Sequence, residues 1–251
     1  MKIVGTIEAR MGSSRLPGKT LTKIFQDEVL LGAVVTRFRQ CKELDGICVA
    51  TTDTIQDDVI ALWCENNGVS CYRGSEENVL DRIVKAALSV KADVIVQMGG
   101  DSAYLDFNLI DNLVRIYKQN KYDYVCNDLE LTYPLGIYGH VVGVAALVEL
   151  NAMSDLTPED RTDVVRYFWE HPEKYSLKNI SAPEKQHCPD LRLTIDYPED
   201  MQQAIAVYAH FGSFSFTTTD ILQLNKENPA IFSGTKNLVQ CSAPFLKKVS
   251  H

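Results

Sequence analysis

The chain has no CxxC pair, and its seven cysteines (Cys41, Cys48, Cys64, Cys71, Cys126, Cys188 and Cys241) are an odd number. That spacing suits neither a disulfide framework nor a zinc knuckle, so reduced thiols in a cytoplasmic protein are expected. No apolar run approaches the roughly 20 residues that a membrane helix needs. The first one, Ile3 to Ile7, is broken off by Glu8 and Arg10 and does not read as a secretion signal. A basic face is missing too. The 25 Lys and Arg against 33 Asp and Glu leave a formal net charge of −8, which disfavours DNA or RNA as a partner. The five histidines show no metal spacing. No serine lies in a GxSxG elbow, and neither GxGxxG nor a Walker A motif occurs.

What is present is an ordinary globular composition, 45% hydrophobic and 23% charged. The first half alternates strand-like and helix-like segments. "KIVGTIEA", "DGICVATT" (Asp45–Thr52), "VSCYRG", "DVIVQMGGD" (Asp93–Asp101) and "YDYVCND" read as strands. Helices are expected between them, one capped by Asp53 with Gln56, one by Ser75, and one over Asn108–Asn120. Such units imply parallel β-α-β connections and a sheet covered on both faces. Ligands of such sheets sit beyond the carboxyl ends of the strands. In the second half, 158–171 reads as one helix and "LRLTIDYPED" as a strand and a turn. One domain over 1–251, with an excursion at about 128–182, is the division that fits.

Two chemically loaded segments fall at strand ends. "EARMGSSRLPGKT" places Arg10, Arg15 and Lys19 on a glycine-containing loop in an acidic protein. Glycine permits the close approach and positive φ of an anion cradle, and the cations add charge-assisted donors. Alone, it also reads as an ordinary glycine-rich connection. "VQMGGD" ends in Asp101 and "LRLTID" in Asp196. Two carboxylates on adjacent strands would suit Mg²⁺, which takes one or two carboxylates with phosphate and water oxygens. Each is equally readable as a turn-former. Asp200 fits the first turn of a helix, and Asp57-Asp58 and Glu76-Glu77 read as solvated faces.

Together these segments carry a resemblance. "EARMGSSRLPGK" closely resembles the "QARMGSxRLPGK" opening of the SpsF-like cytidylyltransferases, relatives of the acylneuraminate and Kdo enzymes. The likeness continues through "VATTD", "YRGSEENVLDR", "GGDSAYLD" and "LRLTIDYPED", over roughly Met1 to Phe211. It implies an α/β fold, a Rossmann-like three-layer sandwich with a mainly parallel central sheet, of the nucleotide-diphospho-sugar transferase type. It implies transfer of CMP from CTP to a small acidic or phosphorylated acceptor, with loss of pyrophosphate and a need for Mg²⁺ or Mn²⁺. By position, Arg15 and Lys19 would be catalytic. Ala9, Arg10, Gly12, Ser13, Thr51, Arg73, Gly74 and Ser75 would hold the nucleotide, and Asp101 and Asp196 the metal. Gln97, Tyr104 and His140 are the acceptor-side candidates, and a homodimer is expected.

The departures from the family pattern cluster. Its opening glutamine is Glu8, its fourth-strand arginine is Gln97, and its "GDxP" lacks the proline. Its mid-chain "PxGxDVEV" is "PLGIYGHVV", with carboxylates lost and His140 gained. The pattern predicts retained CTP chemistry with an unusual acceptor. A glycosyltransferase of the same fold and a nucleotide-binding subunit without catalysis are the alternatives.

Overall fold

The computed structural model describes residues 1–238. In chain order, β1 (Ile3–Glu8) is followed by a small antiparallel hairpin, β2 (Lys23–Phe25) and β3 (Glu28–Val29), and then α1 (Leu30–Phe38). Next come β4 (Gly46–Thr52), α2 (Asp58–Asn66), β5 (Ser70–Gly74), α3 (Val79–Ser89), β6 (Val94–Gly99) and α4 (Phe107–Tyr117). The later elements are β7 (Tyr124–Cys126), β8 (His140–Gly143), α5 (Val144–Asn151), α6 (Pro158–Thr162) and α7 (Arg166–Glu170). β9 (Leu177–Asn179), α8 (Pro198–Phe211) and α9 (Thr218–Glu227) complete the set among the described residues.

One sheet organises the chain, in the order β5-β4-β1-β6-β8-β7-β9. β1 pairs in parallel with β4 and β6, and β4 with β5, so four carboxyl ends share one edge. β8 enters antiparallel between β6 and β7, and β9 extends β7 in parallel. The excursion at 128–182 thus supplies two strands to the common sheet. Alternation of side chains along each strand divides the interior into two layers. Ile3, Ile7, Val49, Val96, Met98 and Val141 pack with residues of α1, α4, α8 and α9. Val4, Cys48, Ala50, Ile95 and Val142 pack with α3, α5 and α7. Truncating one such side chain, as in Ile7→Ala, costs about 2–5 kcal/mol. The fold is α/β, a three-layer sandwich with a mainly parallel sheet.

Four local expectations are corrected. Asp53 does not cap α2: it is exposed, and a 3₁₀ turn at Ile55–Asp57 precedes the helix. The 158–171 segment is two short helices, because Asp163 takes an extended conformation between them. Leu191–Asp196 is not a sheet strand. It forms a single parallel bridge, Leu135 to Arg192, outside the sheet. Its Leu193 amide donates to Leu135 O at 2.7 Å, while Leu193 and Ile195 are fully buried. Nor does Ser75 cap α3 itself: its Oγ accepts from the Asn78 amide, and Asn78 in turn caps the helix through the Asp81 amide.

Candidate functional site

The loop after β1 folds around one carbonyl. Met11 O accepts from the amides of Ser13 (2.9 Å) and Gly18 (3.0 Å). Gly18 supplies the left-handed conformation, at φ 77°, that this closure needs. Gly12, expected to do so, is not among the positive-φ residues, and a Cβ there would meet only ordinary contacts at 3.8 Å. Asp57 anchors the loop from α2's side. It is almost fully buried, accepts from the Met11 amide at 2.7 Å and from Thr52 Oγ1 at 2.5 Å. The solvated-face reading of 57–58 therefore fails for Asp57, while Asp58 is exposed and pairs with Arg73 at 2.6 Å.

Lys19 emerges from this loop into the space between the two predicted carboxylates. Its Nζ donates to Asp101 Oδ2 (2.5 Å) and to Ile195 O (2.6 Å), and lies 3.8 Å from Asp196 Oδ1. Arg15 donates to Asp196 Oδ1 at 2.5 Å. Asp196 is further held by Thr194 Oγ1 (2.7 Å) and by Arg192 (3.3 Å). The sequence pairing of Asp101 with Asp196 is thus realised in space, though through the Lys19 ammonium and not through neighbouring sheet strands. Asp200 is the keystone beneath. Fully buried, it takes a two-pronged bond from Arg192, 2.8 Å at each oxygen, and accepts from the amides of Asp196 and Tyr197.

Two cavities meet at this cluster. The first, of about 380 Å³, is lined by Ala9, Arg10, Ser13, Arg15, Lys19, Glu76, Arg82, Gly100, Asp101 and Asp196, with Glu8 at its floor. The second, of about 320 Å³, is lined by Gln97, Asp128, Tyr138, His140 and Asp163, with an apolar wall that includes Leu135, Ile137, Val165 and Leu193. Arg15, Asp101 and Asp196 border both. The turn that shapes the second cavity requires Gly136. Its φ is 102°, and a Cβ would come within 2.4 Å of Leu193 O.

Several expected residues lie elsewhere. Tyr104 does not reach the second cavity. It is fully buried, 3.5 Å from Gln203 Nε2, and burial pushes its phenol pKa well up. Thr51, Arg73, Gly74 and Ser75 line neither cavity. Arg73 is committed to the carbonyls of Thr52 and Thr54 as well as to Asp58. Thr51 is fully buried, and its Oγ1 has no partner. The cation missed from sequence is Arg82, which faces the first cavity from α3 and is held by Ser75 O.

The floor between the cavities carries a row of polar contacts across three adjacent strands. Gln97 Nε2 on β6 donates to Glu8 Oε1 at the end of β1 (2.5 Å). Gln97 Oε1 meets His140 Nδ1 on β8 (2.8 Å), and His140 Nε2 meets Asp128 Oδ2 (2.9 Å). Burial pushes the Glu8 carboxyl up to about 7, against the lowering by the Gln97 hydrogen bond and the Arg82 charge. Burial pushes His140 down, but Asp128, Asp163 and Glu8 outweigh it and its pKa is raised. Asp128 and Asp163 were not singled out from sequence. Both sit outside any motif, in the mid-chain excursion.

No group of three or more His, Cys, Asp or Glu side chains among the described residues could enclose a metal ion. Asp101 and Asp196, oxygen donors facing a cation-rich loop, could hold a hard divalent ion that completes its shell with phosphate and water oxygens. No helix of the described residues is long and apolar enough to cross a membrane.

The family model described as cytidylyltransferase matches residues 4–233. The spore coat polysaccharide biosynthesis protein SpsF of Bacillus subtilis (strain 168) is 35% identical over 90% of this chain and 95% of its own. The 3-deoxy-manno-octulosonate cytidylyltransferase of Bdellovibrio bacteriovorus is 25% identical over 98% of this chain and 86% of its own. Among solved structures, a cytidylyltransferase from Leptospira borgpetersenii superposes with a TM-score of 0.87 at 30% identity, covering 96% of this chain and 100% of that one. By its match to this family over residues 4–233 and its identity to these relatives, the chain belongs to the cytidylyltransferase family, whose members are CTP-dependent nucleotidyltransferases.

Proposed function

We propose that this enzyme transfers CMP from CTP to a small acidic or phosphorylated acceptor, a sugar acid, sugar phosphate or phosphonate, and releases pyrophosphate. The observation that carries this reading is the pair of cavities sharing Arg15, Asp101 and Asp196. A transfer enzyme needs donor and acceptor on either side of the group that moves, and this wall is where such a group would lie. The triphosphate belongs in the first cavity, which gathers Arg10, Arg15, Lys19 and Arg82. The acceptor belongs in the second, against Gln97 and His140.

The chain's own residues then act mostly by position. Arg15 and Lys19 meet the charge that grows on the α-phosphate and the departing pyrophosphate as the acceptor oxygen attacks in line. Fixing both reactants across one wall is worth about 7–11 kcal/mol of barrier when the alignment is good. Mg²⁺ or Mn²⁺ held by Asp101 and Asp196 would supply Lewis-acid polarisation and charge neutralisation at the phosphates. Asp200 and Arg192 keep Asp196 in place. A place in surface-polysaccharide synthesis is supported by the part of the Bacillus relative in spore coat polysaccharide biosynthesis.

The test is a pyrophosphate-release screen. Purified protein with Mg²⁺ is given each nucleoside triphosphate against sugar acids, sugar phosphates and phosphonates. Release with CTP and one acceptor class is expected. Release with UTP or GTP but not CTP would overturn the assignment of the base.

A further inference from the structure

The row Glu8–Gln97–His140–Asp128 links the two cavities, and its polarity is fixed by its chemistry. An ionised carboxylate only accepts, so Glu8 turns the Gln97 amide nitrogen towards itself. The Gln97 oxygen must then face His140, and Nδ1 must carry hydrogen. The other ring nitrogen, Nε2, faces the Asp128 carboxylate. With Glu8 ionised, the row therefore holds His140 as an imidazolium.

A proton on Glu8 Oε1, the oxygen that faces Gln97, reverses the pattern. The carboxyl O–H donates to Gln97 Oε1, the amide turns, and its nitrogen faces His140 Nδ1, which must now be bare. The N–H bond at Nδ1 breaks and an O–H bond at Glu8 forms. The proton is given up and taken up at the cavities that His140 and Glu8 border, and the row's net charge is unchanged. The two ends differ in their surroundings: Glu8 borders the first cavity, and Gln97, His140 and Asp128 border the second.

We propose that this row is a proton relay in which filling the first cavity with a triphosphate moves the proton from His140 to Glu8, so that nucleotide binding sets the charge the acceptor meets. Glu8 and His140 are then positioning residues for the acceptor. The proposal rests on the nucleotide reading of the first cavity. The groups facing Glu8 are Gln97 from β6, Arg82 from α3, His140 from β8, and Asp163. Those facing His140 are Asp128, Asp163 and Glu8, with the rings of Tyr124 and Tyr138 packed at 5.8 and 5.2 Å. Burial brings Glu8 into the neutral range, where a nearby polyanion decides its state.

The sign of one measurement separates this from simple electrostatics. Through space, a bound triphosphate raises the proton affinity of a nearby imidazole. Through the relay, it lowers it. The His140 ring nitrogens are followed by NMR in ¹⁵N-histidine-labelled protein across a pH titration, with and without CTP and without acceptor. The resonance is assigned by its loss in His140→Gln. In the wild type, CTP should lower the apparent pKa of His140 by about one unit, a tenfold loss of proton affinity. In Glu8→Gln and in Gln97→Leu the shift should vanish or reverse, and Glu8→Gln should change the acceptor KM more than the CTP KM. A rise or no change in the wild type with CTP bound overturns the relay. So does a wild-type response in either variant. If no variant and not the wild type bind CTP, the nucleotide reading itself falls, and the relay with it.

Discussion

The two cavities that meet at Arg15, Asp101 and Asp196 are built in different ways. The first takes most of its polar lining from one contiguous loop, Arg10 to Lys19, and from strand ends that a parallel sheet places on one edge. The second is assembled from residues far apart in sequence: Gln97 on β6, Asp128 past β7, His140 on β8, Asp163 between two short helices, and Leu193 and Thr194 outside the sheet. A site carried by one loop keeps its chemistry in a readable string of residues. A site made by convergence shows it only once the chain is folded.

The largest effect comes from breaking the wall that the cavities share. Asp200→Ala leaves the Arg192 guanidinium buried without its partner and frees the segment that carries Asp196. A loss of about 3–5 kcal/mol in urea or thermal unfolding is expected. A variant as stable as the wild type would show that the two-pronged pair does not hold this wall.

Lys19→Ala touches the first cavity directly. It removes the cation lying between Asp101 and Asp196, and turnover should fall about 10²–10³-fold. Asp101→Asn should raise the Mg²⁺ concentration needed for half-maximal rate, with little change in unfolding, since Asp101 is partly exposed. Unchanged CTP turnover in either variant would remove that residue from the nucleotide side.

His140→Gln should divide the cavities. We expect the acceptor KM to rise about tenfold, as loss of one charge-assisted contact would cause, while the CTP KM stays within a factor of two or so. Equal changes in both would mean that His140 supports the sheet as a whole.

Glu8 offers a stability test with a definite sign. Its folded pKa of about 7 lies above the ordinary 4.5, so the folded state binds the extra proton. The stabilisation from this group is full below the ordinary value and is lost as pH rises through about 7. Unfolding curves of Glu8→Gln should lack that decline. Smallest of all is Tyr104→Phe. It deletes a hydroxyl in a long 3.5 Å contact, and both stability and kinetics should change by less than about 1 kcal/mol.

These contrasts also explain what could be read beforehand. The alternation of β-rich and helical segments made the parallel half of the sheet legible, because β1, β4 and β6 are largely buried and α3 and α4 begin at the capping residues Asn78 and Asp106. The antiparallel entry of β8 was not legible, since its four residues carry no sign of direction. Arg15, Lys19, Asp101 and Asp196 stood out because they sit in motifs, and the fold brings them together, although Asp196 follows a bridge outside the sheet and not a strand. Asp57 was misread because its burial depends on the loop it anchors, and Asp128 and Asp163 had no local signal at all. Tyr104 was an acceptor-side candidate, whereas the turn at Ser102 sends its ring into the core. Glu8, Gln97 and His140 stood out as separate departures from the family pattern. The fold shows that they are neighbours in one hydrogen-bonded row.

The most direct test of the central claim uses CTP labelled either at the α- or at the γ-phosphorus, with Mg²⁺ and an acceptor that supports pyrophosphate release. Transfer across the Arg15–Asp101–Asp196 wall predicts that the α-label appears in the acceptor product and the γ-label in pyrophosphate, and that Lys19→Ala slows both about 10²–10³-fold. The γ-label in the acceptor, or the α-label remaining in CDP, would contradict it.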